Sequence, residues 1–111
     1  MTTEVRKRLH DIRLAAEAIG RFTAGKFIDQ FKSDEILQAA LERKLAIIGE
    51  AFVHLREEDA ATAELFPDLR KIVGMRNRLI HGYDQLDLDI VWDTVINHVP
   101  KLLEQVEAAL K

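Results

Sequence analysis

Side chains able to bind a phosphate group and to move protons are concentrated in the segment 76–83, which reads RNRLIHGY. Arg76 suits a phosphate because its planar guanidinium can donate two parallel hydrogen bonds and stays charged at neutral pH. His81 suits proton transfer because imidazole gains and loses its proton near neutral pH. A base, an acid and a fixed positive charge are what the attack of a ribose 2′-OH on its neighbouring phosphate requires. The segment therefore predicts phosphodiester chemistry.

Arg76 also has a purely structural interpretation. Apolar residues at 69, 72, 73, 79, 80 and 83 define one arc of a helix, and Arg76 occupies the middle of that arc. Because arginine is rarely buried alone, either a carboxylate such as that of Glu50 pairs with it or the arc faces a cleft. The sequence leaves both interpretations open.

His81 precedes Gly82 at the predicted end of the same helix, where a histidine can simply interact with the last carbonyls and the helix dipole. On an ideal helix, side chains five residues apart point about 140° away from each other. Arg76 and His81 therefore converge only if the helix unwinds near residue 81 or if a second copy of the chain completes the site. A homodimer resolves this geometric conflict.

Asn77 and Arg78 are candidate supporting or RNA-binding residues. Asn77 can donate to a phosphate or hold one tautomer of the histidine, and Arg78 lies three residues before His81. Both residues also fit exposed helix positions that have no role. The other histidines, at 10, 54 and 98, lie on separate predicted helices without metal-ligand spacing, which indicates surface or structural roles. We expect neither a metal nor a cofactor.

The net charge argues against an extended nucleic-acid surface. The 111 residues carry a formal charge of −3, whereas proteins that contact many phosphates are usually basic. The segment 68–83 is an exception, because its charged side chains are Arg70, Lys71, Arg76 and Arg78 against Asp68 alone. Any RNA contact is expected to be local to this segment, although a solvated helix face has a similar composition.

The composition predicts one helical globular domain. Apolar residues make up 48% of the chain and charged residues 32%, and only five glycines and two prolines interrupt them. The length fits a single domain over residues 1–111. The absence of cysteine excludes a disulfide scaffold and a thiolate metal site. The sequence shows no signal-peptide pattern and no apolar run of the roughly 20 residues that span a bilayer, so we expect a cytoplasmic protein without a membrane segment.

Hydrophobic periodicity predicts four long helices. The first should be capped by Thr2 or Thr3, and its apolar face is formed by Val5, Leu9, Ile12, Ala16 and Ile19. A short helical turn is expected in the segment KFIDQF. The second long helix should begin at Ser33 and reach about Arg56, with Gly49 allowing a neighbour to come close.

The third long helix follows a partly helical linker, EEDAATAEL. It is predicted to begin at Pro67 and to end at Gly82 in a left-handed cap. The fourth should begin near Asp87 or Asp89, and Pro100 should kink or split it. The predicted fold is an all-α, up-and-down bundle of four to five helices, with a homodimer as the expected assembly.

The order Arg76, Asn77, His81 and Tyr83 resembles the Rx4HxY signature of HEPN-domain ribonucleases, in particular the HepT-like toxins that are encoded beside a minimal nucleotidyltransferase antitoxin. The similarity extends to IIGEA at 47–51, GMRNRLIHGY at 74–83 and DIVWDTV at 89–95. It covers most of the chain from Ser33 onward.

The resemblance implies a HEPN-like helical bundle that dimerises, so that Arg76 and His81 of both copies line one cleft. It implies a metal-independent endoribonuclease that acts on single-stranded RNA as the toxin of a toxin–antitoxin pair. It also implies that the nucleotidyltransferase antitoxin transfers AMP to Tyr83 and silences the nuclease. The alternative from another class is a non-catalytic helical subunit that docks a nucleotidyltransferase or presents a substrate to it. A phosphotransfer bundle using His54 rests on fold analogy alone.

Overall fold

Helices form the regular structure of the computed structural model, which describes residues 1–82 and 86–111. The α-helices in these ranges are α1 (Thr3–Thr23), α2 (Ile28–Lys32), α3 (Glu35–Glu58), α4 (Ala60–Ala63), α5 (Leu69–His81), α6 (Leu88–Asp93) and α7 (Val99–Leu110). A π-helical segment, Thr94–His98, joins α6 directly to α7. The two described ranges contain no strand, and none of their helices is long and apolar enough to cross a membrane.

The starts of α1 and α3 are fixed by side-chain caps. The Thr2 hydroxyl accepts a hydrogen bond from the Val5 N–H at 3.1 Å, as predicted for one of the two threonines. The prediction that Ser33 caps the start of α3 is wrong by one residue. The Asp34 carboxylate is the cap and accepts a hydrogen bond from the Leu37 N–H at 3.0 Å. The Ser33 hydroxyl instead donates to the Asp29 carbonyl of α2 at 3.1 Å.

The start of α5 also differs from the prediction. Pro67 does not occupy the first helical position but lies in a turn, and α5 begins at Leu69. The Leu69 N–H donates to the Phe66 carbonyl at 3.2 Å, and the first α-helical bond runs from Ile72 to the Asp68 carbonyl at 3.0 Å. Phe66 is buried, so its docking into the core requires the chain to turn through residues 67 and 68 before the helix can start.

The last helical arm begins where the sequence indicated. The Asp87 carboxylate accepts from the Asp89 N–H at 2.8 Å and caps α6. The α-helical pattern of the arm is interrupted just before Pro100, as predicted, although the arm itself continues. The widened Thr94–His98 segment lies immediately before α7, whose second residue is Pro100. Because proline cannot donate an N–H to the preceding turn, a change of helical hydrogen-bond pattern is concentrated just before it.

The helices form one bundle around a continuous core. α3 packs against both α1 and α5, and α1 also packs against α7. Two aromatic pairs add contacts between elements. Phe31 of α2 stacks on Trp92 of α6 with ring centroids 5.1 Å apart, and Phe52 of α3 packs against Phe66, before α5, at 5.3 Å. The prediction of an all-α bundle is confirmed, with α1, α3, α5 and the α6–α7 arm as its long elements.

Candidate active site

Arg76 projects from α5 toward α3. The buried residues of α5 are Leu69, Ile72, Val73 and Met75. The predicted apolar arc is therefore wrong at its far end, where Ile80 is 45% exposed. Arg76 lies at the border of the buried face, with 23% of its side chain exposed. This position keeps its stem in the bundle and places its guanidinium at the surface between two helices.

A carboxylate meets the guanidinium of Arg76, as one of the two sequence interpretations required. Arg76 Nη2 forms an ion pair with Glu50 Oε2 on α3, and Arg76 Nη1 donates to Asn77 Oδ1 at 2.9 Å. The other oxygen of Glu50 lies 3.2 Å from His54 Nε2. Asn77, Arg76, Glu50 and His54 thus form a connected polar chain across α5 and α3.

Gly49 permits the close packing that brings these helices together. A Cβ built on Gly49 would lie 2.3 Å from Arg76 Cβ and 3.3 Å from the Ile72 carbonyl oxygen. Neither atom can move away easily, because Arg76 Cβ is attached directly to the backbone and the Ile72 oxygen is part of it. The prediction that Gly49 admits a close neighbour is confirmed, and that neighbour is Arg76.

His81 is the last residue of α5 and is exposed. The Gly82 N–H donates to the Arg78 carbonyl at 2.8 Å, so regular helical bonding continues to the end. Gly82 has φ −137°, which contradicts the predicted left-handed cap. Because the helix keeps its hydrogen-bond pattern to this point, it needs no left-handed residue to close its last turn. Tyr83, the predicted modification site, lies outside the described residues.

Two hollows lie beside α5, one lined by the Glu50 and His54 partners of Arg76 and one lined by His81, and Arg76 itself lines neither. Glu50 and His54 line a hollow of about 370 Å³, to which α5 contributes Ile80. His81 lines another hollow of about 490 Å³, together with Asn77, Arg78 and Gly82. The regular helix excludes local unwinding before residue 81 as a way to bring Arg76 and His81 together. Within one chain the two predicted catalytic residues belong to different surfaces.

Asn77 connects these two surfaces. Its carboxamide oxygen accepts from Arg76, while the residue also lines the hollow of His81. An oxygen held by the guanidinium leaves the amide nitrogen of Asn77 available for donation on the histidine side. The supporting role of Asn77 stays a prediction.

The remaining histidines have different surroundings. His54 takes part in the Glu50 contact, a link that its spacing of four residues on α3 could have indicated. His98 Nδ1 lies 3.1 Å from Asp68 Oδ2, joining the α6–α7 arm to the start of α5. In the part of the chain that the structure describes, no three His, Cys, Asp or Glu side chains are grouped to hold a metal ion.

Comparison with known proteins identifies the family to which this arrangement belongs. The family model described as "Ribonuclease HepT-like" matches residues 12–109, which includes α3, α5 and the hollow of His81. The chain belongs to the HepT-like ribonuclease family. The resemblance seen in the sequence is thereby confirmed, together with the ribonuclease class of activity.

Two of the following relatives match over most of their length, and the third matches over part of it. A Methanocaldococcus jannaschii protein named "Putative RNase MJ0127" is 34% identical over 108 residues, 97% of this chain and 88% of the relative. The "Probable ribonuclease HepT" of Thermococcus cleftensis is 34% identical over 105 residues, 93% of each chain. The "mRNA nuclease HepT" of Shewanella oneidensis is 38% identical over 50 residues, 45% of this chain and 38% of that protein. No solved structure matches.

Proposed function

We propose that this HepT-like protein is a metal-independent endoribonuclease whose site is completed by a second copy of the chain, and that it acts as the toxin of a toxin–antitoxin pair. The observation that carries the proposal is the regularity of α5 between Arg76 and His81. The helix holds the two residues on different surfaces, whereas the reaction needs both at one phosphate. A symmetric dimer that joins the ends of α5 of the two copies brings Arg76 and His81 of both chains to one cleft.

The proposed reaction is internal transesterification of RNA. His81 of one copy accepts the proton from the ribose 2′-OH, whose oxygen then forms a bond to the adjacent phosphorus. The bond from phosphorus to the 5′-oxygen breaks, and His81 of the second copy donates a proton to that leaving oxygen. The products are a 2′,3′-cyclic phosphate and a free 5′-hydroxyl, so neither an oxidant nor a metal-bound water enters the balance.

Arg76 stabilises the negative charge that builds on the non-bridging phosphate oxygens. Its contacts with Glu50 and Asn77 use one donor on each terminal nitrogen and leave one N–H on each available. The same contacts restrict the orientation of the guanidinium before RNA arrives, which favours electrostatic stabilisation without reorganisation. Asn77 supports the site from the histidine side, and Arg78 contributes positive charge beside His81.

Tyr83 is the proposed switch. Its partner is a minimal nucleotidyltransferase antitoxin, which transfers AMP to the phenol oxygen. The added phosphate lies two residues from His81 in the sequence, where its charge repels the RNA backbone. The proposal for Tyr83 rests on its match to the family signature, because the residue lies outside the described ranges.

The decisive experiment measures RNA cleavage in excess EDTA by the purified protein, by His81→Ala and by Arg76→Ala. We expect cleavage by the unaltered protein, ends carrying a 2′,3′-cyclic phosphate, and a loss of about a hundredfold or more in each variant. Arg21→Ala is a control, because Arg21 is exposed on α1 and lines neither hollow. Equal activity in all four samples would refute the site.

Mixing tests whether the site is shared. Unaltered protein and His81→Ala are dissociated together and reassociated at different ratios. If both histidines of a dimer are required, activity falls with the square of the fraction of unaltered chains. A linear decrease would show that one His81 is enough at each site and would contradict the use of two histidines.

The non-catalytic docking subunit is favoured by one observation, the ion pair that already occupies Arg76. In that case Arg76 is a structural residue of the bundle. Expression of the chain alone should then leave growth unaffected. Growth arrest that His81→Ala abolishes supports the nuclease and contradicts the docking subunit.

A further inference from the structure

A second groove on α5 lies on the histidine side and is not used by the proposed reaction. It has a volume of about 530 Å³ and runs between α5 and α6. The α5 wall carries Arg70, Lys71 and Arg78, and the α6 wall carries Asp89 and Asp93. We refer to it as the α5–α6 groove.

The α5–α6 groove and the hollow of His81 share one lining residue, Arg78. On an ideal helix, Lys71 and Arg78 differ by seven residues, which places them about 20° apart around the axis and about 10.5 Å apart along it. His81 lies three residues further on the same side. A line of positive charge therefore leads along α5 to the proposed proton-transfer residue.

The basic wall of the groove is available for a ligand. Within the described residues, Arg70, Lys71 and Arg78 form no salt bridge, and all three are exposed. The four basic residues of segment 68–83 thus lie in two different environments in the structure. Arg76 faces α3, and the other three cations face this groove.

The acidic wall is occupied by other contacts. Asp89 forms a salt bridge with Lys32 of α2 at 2.8 Å. Asp93 accepts from the Asn97 amide at 2.7 Å and lies 3.5 Å from His98 Nε2. The Asn97 hydrogen bond lowers the pKa of Asp93, which keeps this carboxylate charged and held on its own helix. These contacts offset part of the negative charge opposite α5.

The groove also has apolar lining residues, Gly74, Met75 and Ile90. Gly74 has no side chain there, Met75 is buried, and Ile90 of α6 is 37% exposed. An apolar strip beside a basic wall suits a ligand with an anionic edge and flat apolar faces. A single RNA strand has both, with phosphates along one edge and unpaired bases along the other.

We infer that the α5–α6 groove binds the phosphates of single-stranded RNA adjacent to the cleavage site, with Lys71 and Arg70 as contacts beyond Arg78. The inference rests on the proposed nuclease function and specifies where the rest of its substrate lies. An acidic segment of a partner protein would also meet the basic wall. RNA is favoured because Arg78, which lines the groove, also lines the hollow of His81.

The test uses the full chain with His81→Ala in every sample, so that RNA is bound without being cut. Binding of a fluorescent single-stranded RNA of mixed sequence is measured by anisotropy over a series of salt concentrations. Arg70→Ala with Lys71→Ala should raise Kd by roughly tenfold at moderate salt. The slope of log K against log salt should decrease by about 0.7 for each phosphate that the variant no longer neutralises.

Two controls separate local binding from total charge. Lys7→Ala with Lys101→Ala removes the same charge from exposed positions on α1 and α7 that do not line the groove, and should leave Kd within about twofold. Lys71→Arg keeps the charge and should bind like the parent. If the groove variant and the two-lysine control have the same Kd and slope, the inference is overturned.

Cleavage by the protein with His81 intact separates failure of this inference from failure of the proposed function. If that protein cleaves RNA and the groove variant cleaves with the same KM, RNA does not use the groove. If the groove variant loses binding as expected but the protein with His81 intact does not cleave, RNA binding in the groove stands and the proposed nuclease function fails.

Discussion

Gly49 lies directly against the root of the Arg76 side chain, because a Cβ added to residue 49 would come within 2.3 Å of Arg76 Cβ. The guanidinium can reach Glu50 only because α5 approaches α3 this closely. The glycine of the IIGEA segment and the arginine of the RNRLIHGY segment are therefore two parts of one structural feature. The position of Arg76 on α5 therefore depends on the absence of a side chain at Gly49 on α3.

Gly49→Ala should both destabilise the bundle and reduce RNA cleavage. The added methyl group forces α5 away from α3, at a loss of about 1–3 kcal/mol in the free energy of unfolding. Urea denaturation and the cleavage rate measure the two effects. Gly20→Ala is the matched control, because a Cβ there meets nothing within 4 Å and alanine favours the helix by about 0.5–1 kcal/mol. Equal behaviour of the two variants would contradict the close approach of α5 to α3.

Glu50→Gln tests whether Glu50 positions Arg76. Because Glu50 is 47% exposed, loss of the ion pair should change the free energy of unfolding by less than about 1 kcal/mol. A positioning role predicts that kcat falls by roughly tenfold while KM changes little, since the guanidinium is then less ordered at the phosphate. Steady-state kinetics on a short RNA measures both constants.

The comparison variant for Glu50→Gln is Glu57→Gln, an exposed position on the same helix. It removes the same charge and should leave kcat unchanged. A rise in kcat in Glu50→Gln would contradict the positioning role, because it would mean that Glu50 withholds Arg76 from the substrate.

Glu58→Gln should alter the pH dependence of stability. Arg8 Nε donates to Glu58 Oε1 at 2.9 Å, and this hydrogen bond lowers the pKa of Glu58. A carboxyl whose pKa is lower in the folded state stabilises the fold above its unfolded pKa, and this contribution is lost as the pH falls through the folded pKa. The unaltered protein should therefore melt above Glu58→Gln near neutral pH, and the difference should shrink as the solution becomes acidic.

Thermal melting from neutral to acidic pH measures the difference between the two proteins. Glu57→Gln provides the baseline for removal of a carboxylate at the same end of α3. A Tm difference between unaltered protein and Glu58→Gln that stays constant over the whole range would refute the contribution of the Arg8–Glu58 pair.

Several features of the fold were predictable because they depend on local sequence. The apolar face of α1, the cap at Thr2 and the close approach at Gly49 required only periodicity and residue type. The start of α5 was not predictable in this way. Pro67 satisfies the local rule for a first helical position, but burial of Phe66 decides the matter, and burial is a property of the assembled core.

The candidate site shows the same limit. The place of Arg76 within an apolar arc indicated either a cleft or a carboxylate partner such as Glu50, and the ion pair decides for Glu50. The α5–α6 groove could not be predicted, because it depends on how the helical arm after residue 87 folds back beside α5. The sequence shows the basic residues of segment 68–83 as one cluster. The structure places Arg76 on one surface and Lys71 and Arg78 on another.

Tyr83→Phe should preserve RNA cleavage and remove control by the antitoxin. In the proposed transfer, the phenol oxygen attacks the α-phosphate of ATP, a new phosphodiester bond forms, and pyrophosphate leaves. Because Tyr83 is the single tyrosine of the chain, a gain of one AMP on tyrosine can be assigned without ambiguity. The protein is incubated with a minimal nucleotidyltransferase of the proposed antitoxin class and ATP, and then analysed by peptide mass spectrometry and by cleavage assay. Unaltered protein should gain AMP and lose activity, whereas Tyr83→Phe should remain active and unmodified. Modification of a serine or threonine, or inhibition of Tyr83→Phe to the same extent, would show that the switch lies elsewhere.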